Sequence, residues 1–189
     1  MRKIIAATLV SVNGYFTGPN GEQDWEFPYL TKELKRWIVD ENRGQDIIIL
    51  GETTYNVLKN YWPNMSPDQD PSAAFMNNTP KIIISKTLKE APWGSFNNAT
   101  VLGKNVFEEI RKQKQQPGKN MVIVGSGSIV QQLTNYGLVD EYDLIMLPII
   151  LTKGIPLFAN IGGNHALQLL EVKAFPDGTV MHRYKSKRN

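Results

Sequence analysis

Cysteine is absent from this chain of 189 residues, so no disulfide framework, thiolate metal site or cysteine nucleophile can be built. That fits a reducing compartment, and a cytoplasmic location is the expectation. Histidine is nearly absent: His165 and His182 stand far apart and outside any zinc-ligand spacing, so no metal site is expected. No apolar run approaches the roughly 20 residues needed to cross a bilayer, and no membrane partner is expected. The start of the chain superficially resembles a leader peptide. Its apolar run is short, is broken by Asn13-Gly14 and has no small-residue cleavage site behind it, so it reads as a first strand. A concentration of one charge sign is lacking too. The formal net charge is +3, part of it from Lys185, Lys187 and Arg188 in a solvated tail, and no arginine-rich patch interleaved with aromatics occurs elsewhere. A nucleic-acid partner is therefore not expected.

What is present is an ordinary globular composition, 41% hydrophobic and 21% charged, which argues against disorder. The length suits a single domain over residues 1–189. Short Ile- and Val-rich runs alternate with longer amphipathic segments, the pattern of an α/β sheet covered on both faces. Strands are expected at Lys3 to Leu9, Asp46 to Leu50, Lys81 to Ser85, Ala99 to Leu102, Met121 to Val124 and Glu141 to Ile149. Helices are expected at Leu30 to Asn42 behind a Thr31 cap, from Thr53 to Leu58, at Val106 to Gln115 and at Ile129 to Tyr136. The run from Tyr61 to Pro80 carries four prolines among polar residues and reads as a long surface loop. Leu167 to Phe175 and Thr179 to Tyr184, joined at Pro176-Asp177-Gly178, read as a C-terminal antiparallel hairpin.

Ligands of open α/β sheets bind outside the carboxyl ends of the strands, which directs attention to three strand-to-helix junctions. They are Gly51-Glu52-Thr53-Thr54, Ser85-Lys86-Thr87 and Gly125-Ser126-Gly127-Ser128. In the last, a strand empties into glycine and serine at a helix start, leaving N–H groups where a phosphate can sit. One such junction is usually only a turn. Three in one chain favour a dinucleotide, although Ile129 and Val130 replace the third glycine of the Rossmann fingerprint.

These junctions, with further pieces in the same order, resemble the dihydrofolate reductase superfamily, in the branch of the reductase domain of bifunctional riboflavin-biosynthesis proteins. The pieces are Ser11-Val12-Asn13-Gly14-Tyr15, Asp24-Trp25, Gly51 to Tyr55, Met76-Asn77, Pro80 to Leu88, Val124 to Ser128, Gly137 to Tyr142, Pro148 and Pro156-Leu157-Phe158. They cover most of the chain. The resemblance implies a three-layer sandwich around a mixed, mostly parallel sheet of about eight strands. It implies a reduced nicotinamide cofactor along the carboxyl edge and a homodimer.

By the same resemblance, Gly125, Ser126, Gly127 and Ser128 would hold the pyrophosphate, supported by Gly51, Thr53 and Thr54. Ser85, Lys86 and Thr87 would lie at the adenosine end, and Ala7, Asn13 and Gly14 beside the nicotinamide. Two residues depart from the family pattern. Glu52 stands where arginine is usual, which would repel a 2′-phosphate, while Lys86 would attract one; NADPH is the expectation, with NADH open. Asn13 stands where relatives commonly carry aspartate.

Folate-reducing relatives carry a carboxylate on the first helix, at a position that falls near Lys35 here. Classical dihydrofolate reductase activity is accordingly disfavoured. Asp24 and Glu33 are the candidate catalytic acids, and Trp25 and Trp62, read as loop residues, the candidate substrate-stacking aromatics. The function expected is an NAD(P)H-dependent reductase acting on a small heterocyclic or carbonyl compound, including a riboflavin-pathway aminopyrimidine. The alternative is a nucleotide-binding protein or sensor without turnover.

Overall fold

The N-terminal apolar run forms β1 (Ile4–Ser11), a central strand whose residues are mostly buried. The computed structural model describes residues 1–187; Arg188, counted above in the basic tail, lies outside them. After β1 come β2 (Tyr15–Thr17), α1 (Lys32–Asn42), β3 (Gln45–Gly51), α2 (Glu52–Leu58), α3 (Ala73–Asn78), β4 (Lys81–Ile84) and β5 (Ala99–Leu102). The second half adds α4 (Val106–Gln115), β6 (Asn120–Val124), α5 (Gly127–Asn135), β7 (Glu141–Leu147), β8 (Ile155–Pro156), β9 (Leu167–Ala174) and β10 (Val180–Ser186). Among the described residues, no helix is long and apolar enough to cross a membrane.

Eight strands form one sheet in the order β5-β4-β3-β6-β1-β7-β10-β9. The first six are parallel, and β10 runs antiparallel to both β7 and β9. This is the mixed, mostly parallel sheet with a C-terminal antiparallel pair that the sequence predicts.

Alternation along the strands divides the core between two faces. Ile4, Ala6, Ile49, Met121 and Ile123 point to one face and pack against Ile110 of α4 and Ile129, Val130 and Leu133 of α5. Their neighbours Ile48, Leu50 and Val122 point to the other, against Tyr55 of α2, Met76 of α3 and Trp93. Farther along that second face Ile145, Leu147 and Met181 meet Leu34 of α1. Each such aliphatic side chain contributes about 1.5–3 kcal/mol on burial, so the two apolar faces fix the three layers.

Local signals set the helix ends. The Thr31 hydroxyl accepts from the Leu34 N–H at 3.2 Å, capping α1 as its sequence predicts. Gly137, at φ 63°, ends α5, and the Leu138 N–H donates to the Leu133 carbonyl at 2.9 Å, closing a Schellman turn.

Two features differ from expectation. The segment read as a long loop contains α3 and a short 3-10 turn, Trp62–Asn64. Its polar residues bond inward: the Asn77 amide donates to Trp62 O at 2.8 Å and accepts from the Trp93 indole at 3.0 Å. The other is a small antiparallel pair, β2 with β8, which ties the loop after β1 to the loop after β7.

Candidate functional site

The carboxyl ends of β3 and β6 are neighbours in the sheet, and side chains lock their rims together. The buried Ser126 hydroxyl accepts from the Gly51 N–H at 2.9 Å and donates to Val124 O at 3.0 Å. The Thr54 hydroxyl donates to Gly125 O at 3.1 Å. Gly125 takes φ 58°, a left-handed turn that suits glycine, and lets α5 begin two residues later. Ser126 is the cap: its carbonyl accepts from Ile129 and Val130, both at 2.9 Å. Because its hydroxyl is spent inward, Ser126 offers a ligand only backbone.

Gly127 and Ser128 supply N–H groups of the first turn of α5, outside the helix's own ladder. A Cβ on Gly127 would overlap the Phe16 ring of β2, so Phe16 walls one side of the turn, while Ser128 is exposed. A left-handed glycine, free first-turn amides and no acidic side chain in the turn fit the pyrophosphate of a dinucleotide.

At the next rim Glu52, the first residue of α2, accepts hydrogen bonds from Ser85 and Thr87 at the end of β4, the latter at 2.6 Å. These bonds, Ser85 first and Thr87 second, hold the Glu52 carboxyl below the usual carboxylate range. Ser85 Oγ also accepts from the Thr87 and Leu88 N–H groups, at 3.1 and 2.9 Å. Lys86 and Thr53 are exposed. The three sequence junctions therefore form one continuous edge.

The loop after β1 is a turn, with Gly14 at φ 83° and its N–H donating to Ser11 O at 2.9 Å. The Asn13 amide donates to Leu151 O at 2.8 Å and accepts from the Leu151 N–H at 3.2 Å. Aspartate could accept there but not donate, so Asn13 fits the pairing that fixes this loop. Ala7 is half-buried on β1 and packs toward the α2–α3 side of the sheet.

Neither expected acid is enclosed: Asp24 and Glu33 are both exposed. The buried carboxyl of that segment is Glu26, 6% exposed, in the 3-10 turn Asp24–Tyr29. Burial pushes its pKa up to about 8, against a hydrogen bond from Gln23. In the sequence the one signal of Glu26 is a carboxylate set between Trp25 and Phe27.

Trp25 and Trp62 are half-buried against different clusters of the same sheet face, Trp25 with Leu9 and Leu34, Trp62 with Tyr55 and Trp93. The Trp25 indole N–H is buried with no partner among the described residues. Lys35, near the position where the resemblance leads one to expect a carboxylate, is a cation paired with the buried Asp70 at 2.9 Å. Two surface hollows, one around His165 and Lys187 and one around Met1 and Tyr136, lie at the opposite, amino edge of the sheet.

The chain is similar in sequence or in fold to known proteins. The uncharacterized protein YyaP of Bacillus subtilis (strain 168) is 29% identical over 185 residues, 97% of this chain and 94% of YyaP. Among solved structures, the diaminohydroxyphosphoribosylaminopyrimidine deaminase/5-amino-6-(5-phosphoribosylamino)uracil reductase of Thermotoga maritima superposes with a TM-score of 0.72 at 12% identity, over 98% of this chain and 57% of that one. Dihydrofolate reductase from Enterococcus faecalis, complexed with NADP(H), superposes with a TM-score of 0.64 at 13% identity, over 98% of this chain and 97% of that one. The fold is thus dihydrofolate reductase-like. The RibD C-terminal domain matches residues 2–181, and the chain belongs to that family.

Proposed function

We propose that this chain is a reductase that moves a hydride from a reduced nicotinamide dinucleotide to a small heterocyclic or carbonyl compound, with riboflavin-pathway aminopyrimidines as the first substrates to try. The observation that carries this reading is the lock between Gly51 and Ser126, 2.9 Å long, which sets the glycine turn of β6 against the rim of β3. Family membership supports it, as does the dihydrofolate reductase fold seen elsewhere with NADP(H).

The dinucleotide would supply the hydride. The Gly125 to Ser128 turn would hold its pyrophosphate, the Glu52, Ser85 and Thr87 rim would border its adenosine, and Ala7 with the Asn13-Gly14 turn would border its nicotinamide. The remaining task of the protein is to position the acceptor carbon and exclude water.

Hydride addition leaves an electron pair on the acceptor's neighbouring heteroatom, which needs a proton. Glu26, protonated at neutral pH with its pKa at about 8, is the acid we assign to that step in place of Asp24 and Glu33. The unpaired Trp25 N–H beside it would donate to a carbonyl of the heterocycle. A cation, Lys35, near the position where folate-reducing relatives carry a carboxylate speaks against a pterin amidine as substrate.

A homodimer belongs to the same proposal, through the β9–β10 face. Leu169 and Val172 on the outermost strand are each 51% exposed, a patch that a second copy would cover.

The test is titration of the pure protein with NADPH and NADH by fluorescence and calorimetry, followed by a turnover panel of aminopyrimidines, pterins and carbonyl compounds. Saturable binding with oxidation of the cofactor is expected. Binding without turnover across the panel would leave a nucleotide-binding protein or sensor, and no binding to either dinucleotide would end the proposal.

A further inference from the structure

Glu52 meets its two side-chain donors through one oxygen. Ser85 Oγ and Thr87 Oγ1 both donate to Oε2, while Oε1 receives no hydrogen bond among the described residues. The carboxylate is therefore held by one oxygen and keeps the other without a donor among the described residues. It is a secure anion at neutral pH, since those two hydrogen bonds lower its pKa.

The same bonds dispose of the groups that a phosphate would need. A 2′-phosphate is bound by hydroxyls, amides and cations brought to its oxygens. Here the Ser85 and Thr87 hydroxyls already donate their hydrogen bonds to Glu52, and the Thr87 and Leu88 N–H groups are turned onto Ser85 Oγ at 3.1 and 2.9 Å. Gly103 of the β5–α4 connection lies against this rim: a Cβ on Gly103 would come within 2.7 Å of Ser85 O. Lys86, exposed on this rim, is the opposing influence, and a solvated lysine is a weak counterweight to a fixed carboxylate.

Neighbouring strands are about 4.8 Å apart, so a dinucleotide whose pyrophosphate lies at β6 reaches the β3 and β4 rims with its adenosine ribose. A free ribose 2′-hydroxyl can donate to a waiting carboxylate oxygen, whereas a 2′-phosphate brings two negative charges to it. We infer that Glu52, clamped by Ser85 and Thr87, is the specificity-determining residue of the cofactor site and selects NADH over NADPH. The inference rests on the dinucleotide reading given under Proposed function and adds to it the choice between the two carriers.

The experiment is calorimetric titration of the unmodified protein and of Glu52→Gln with NADH and NADPH, with displacement by 5′-AMP and by adenosine 2′,5′-bisphosphate as a second readout that needs no turnover. NADH is expected to bind the unmodified protein about tenfold or more tightly than NADPH, with 5′-AMP the better competitor. Glu52→Gln should raise NADPH affinity and shrink the gap, and added salt should shrink it in the unmodified protein through screening. Equal or tighter binding of NADPH by the unmodified protein overturns the inference without touching the dinucleotide reading. An affinity ratio unchanged in Glu52→Gln also overturns it. Failure of both dinucleotides to bind removes the reading and the inference together.

Discussion

The Gly51 N–H and the Ser126 hydroxyl, 75 residues apart in sequence, form a buried hydrogen bond of 2.9 Å that joins the rims of β3 and β6. Removing the hydroxyl leaves a backbone donor without its acceptor in a buried position, and that costs about 1–3 kcal/mol. Ser126→Ala is therefore expected to lower the free energy of unfolding in urea by that amount. It should weaken dinucleotide binding as well, because the glycine turn loses its anchor. Unchanged stability would show that the lock contributes nothing.

Phe16 and Gly127 are a second coupled pair. A methyl group at Gly127 would overlap the Phe16 ring, and overpacking of this kind costs about 1–3 kcal/mol. Gly127→Ala should be destabilised to that extent on thermal unfolding. Phe16→Leu combined with Gly127→Ala should lose less than the sum of the two single changes, since the smaller side chain relieves the clash. Strict additivity would place the strain elsewhere.

Stability should depend on pH through two buried groups. Glu26 has its pKa raised from 4.5 to about 8, so between those values the folded state holds a proton that the unfolded chain has lost, and stability falls as pH rises through that window. Lys81 has its pKa lowered by burial from 10.5 to about 8, so above about 8 the unfolded chain holds the extra proton and stability rises again. A minimum near pH 8 is expected in unfolding free energies measured from pH 5 to 10. Glu26→Gln should remove the falling limb, a difference on the order of 3 kcal/mol between its ends. Lys81→Met should flatten the rising limb. The same Glu26→Gln variant should lose turnover while still binding dinucleotide; full activity in that variant would remove Glu26 from the proton step.

The layers of this fold are written plainly in the sequence, and the contacts that complete the site are not. Ile- and Val-rich runs announce the parallel strands because both faces are buried, and Thr31 marks the start of α1 because its hydroxyl has a defined local partner. The three glycine and serine junctions are equally visible. What escapes a linear reading is pairing at long range. Glu52 and Ser85, 33 residues apart, are joined by a hydrogen bond that neither residue alone reveals. Strands as short as β2 and β8, of three and two residues, have no period to detect. Glu26 is a carboxylate that polarity alone would put in water, yet in the 3-10 turn it is 6% exposed. Asn77 is the converse: a polar residue in a proline-rich stretch that organises the segment from within.

A register shift in the β9–β10 pairing sets Val172 opposite His182 and Leu169 opposite Tyr184, so two apolar residues three apart in sequence lie on one face despite the two-residue period of a strand. His182 and Tyr184 stack there at 6.1 Å between ring centroids. The resulting strip is apolar and aromatic, and a second copy covering it by two-fold symmetry would bury it on both protomers. Sedimentation velocity should therefore find a dimer, and the paired change Leu169→Lys with Val172→Lys should convert it to monomer with unaltered far-ultraviolet circular dichroism. Both positions are already solvent-exposed in the single chain, so the lysines leave the fold itself undisturbed. A monomer before substitution, or a dimer that survives it, would show that the strip pairs with nothing.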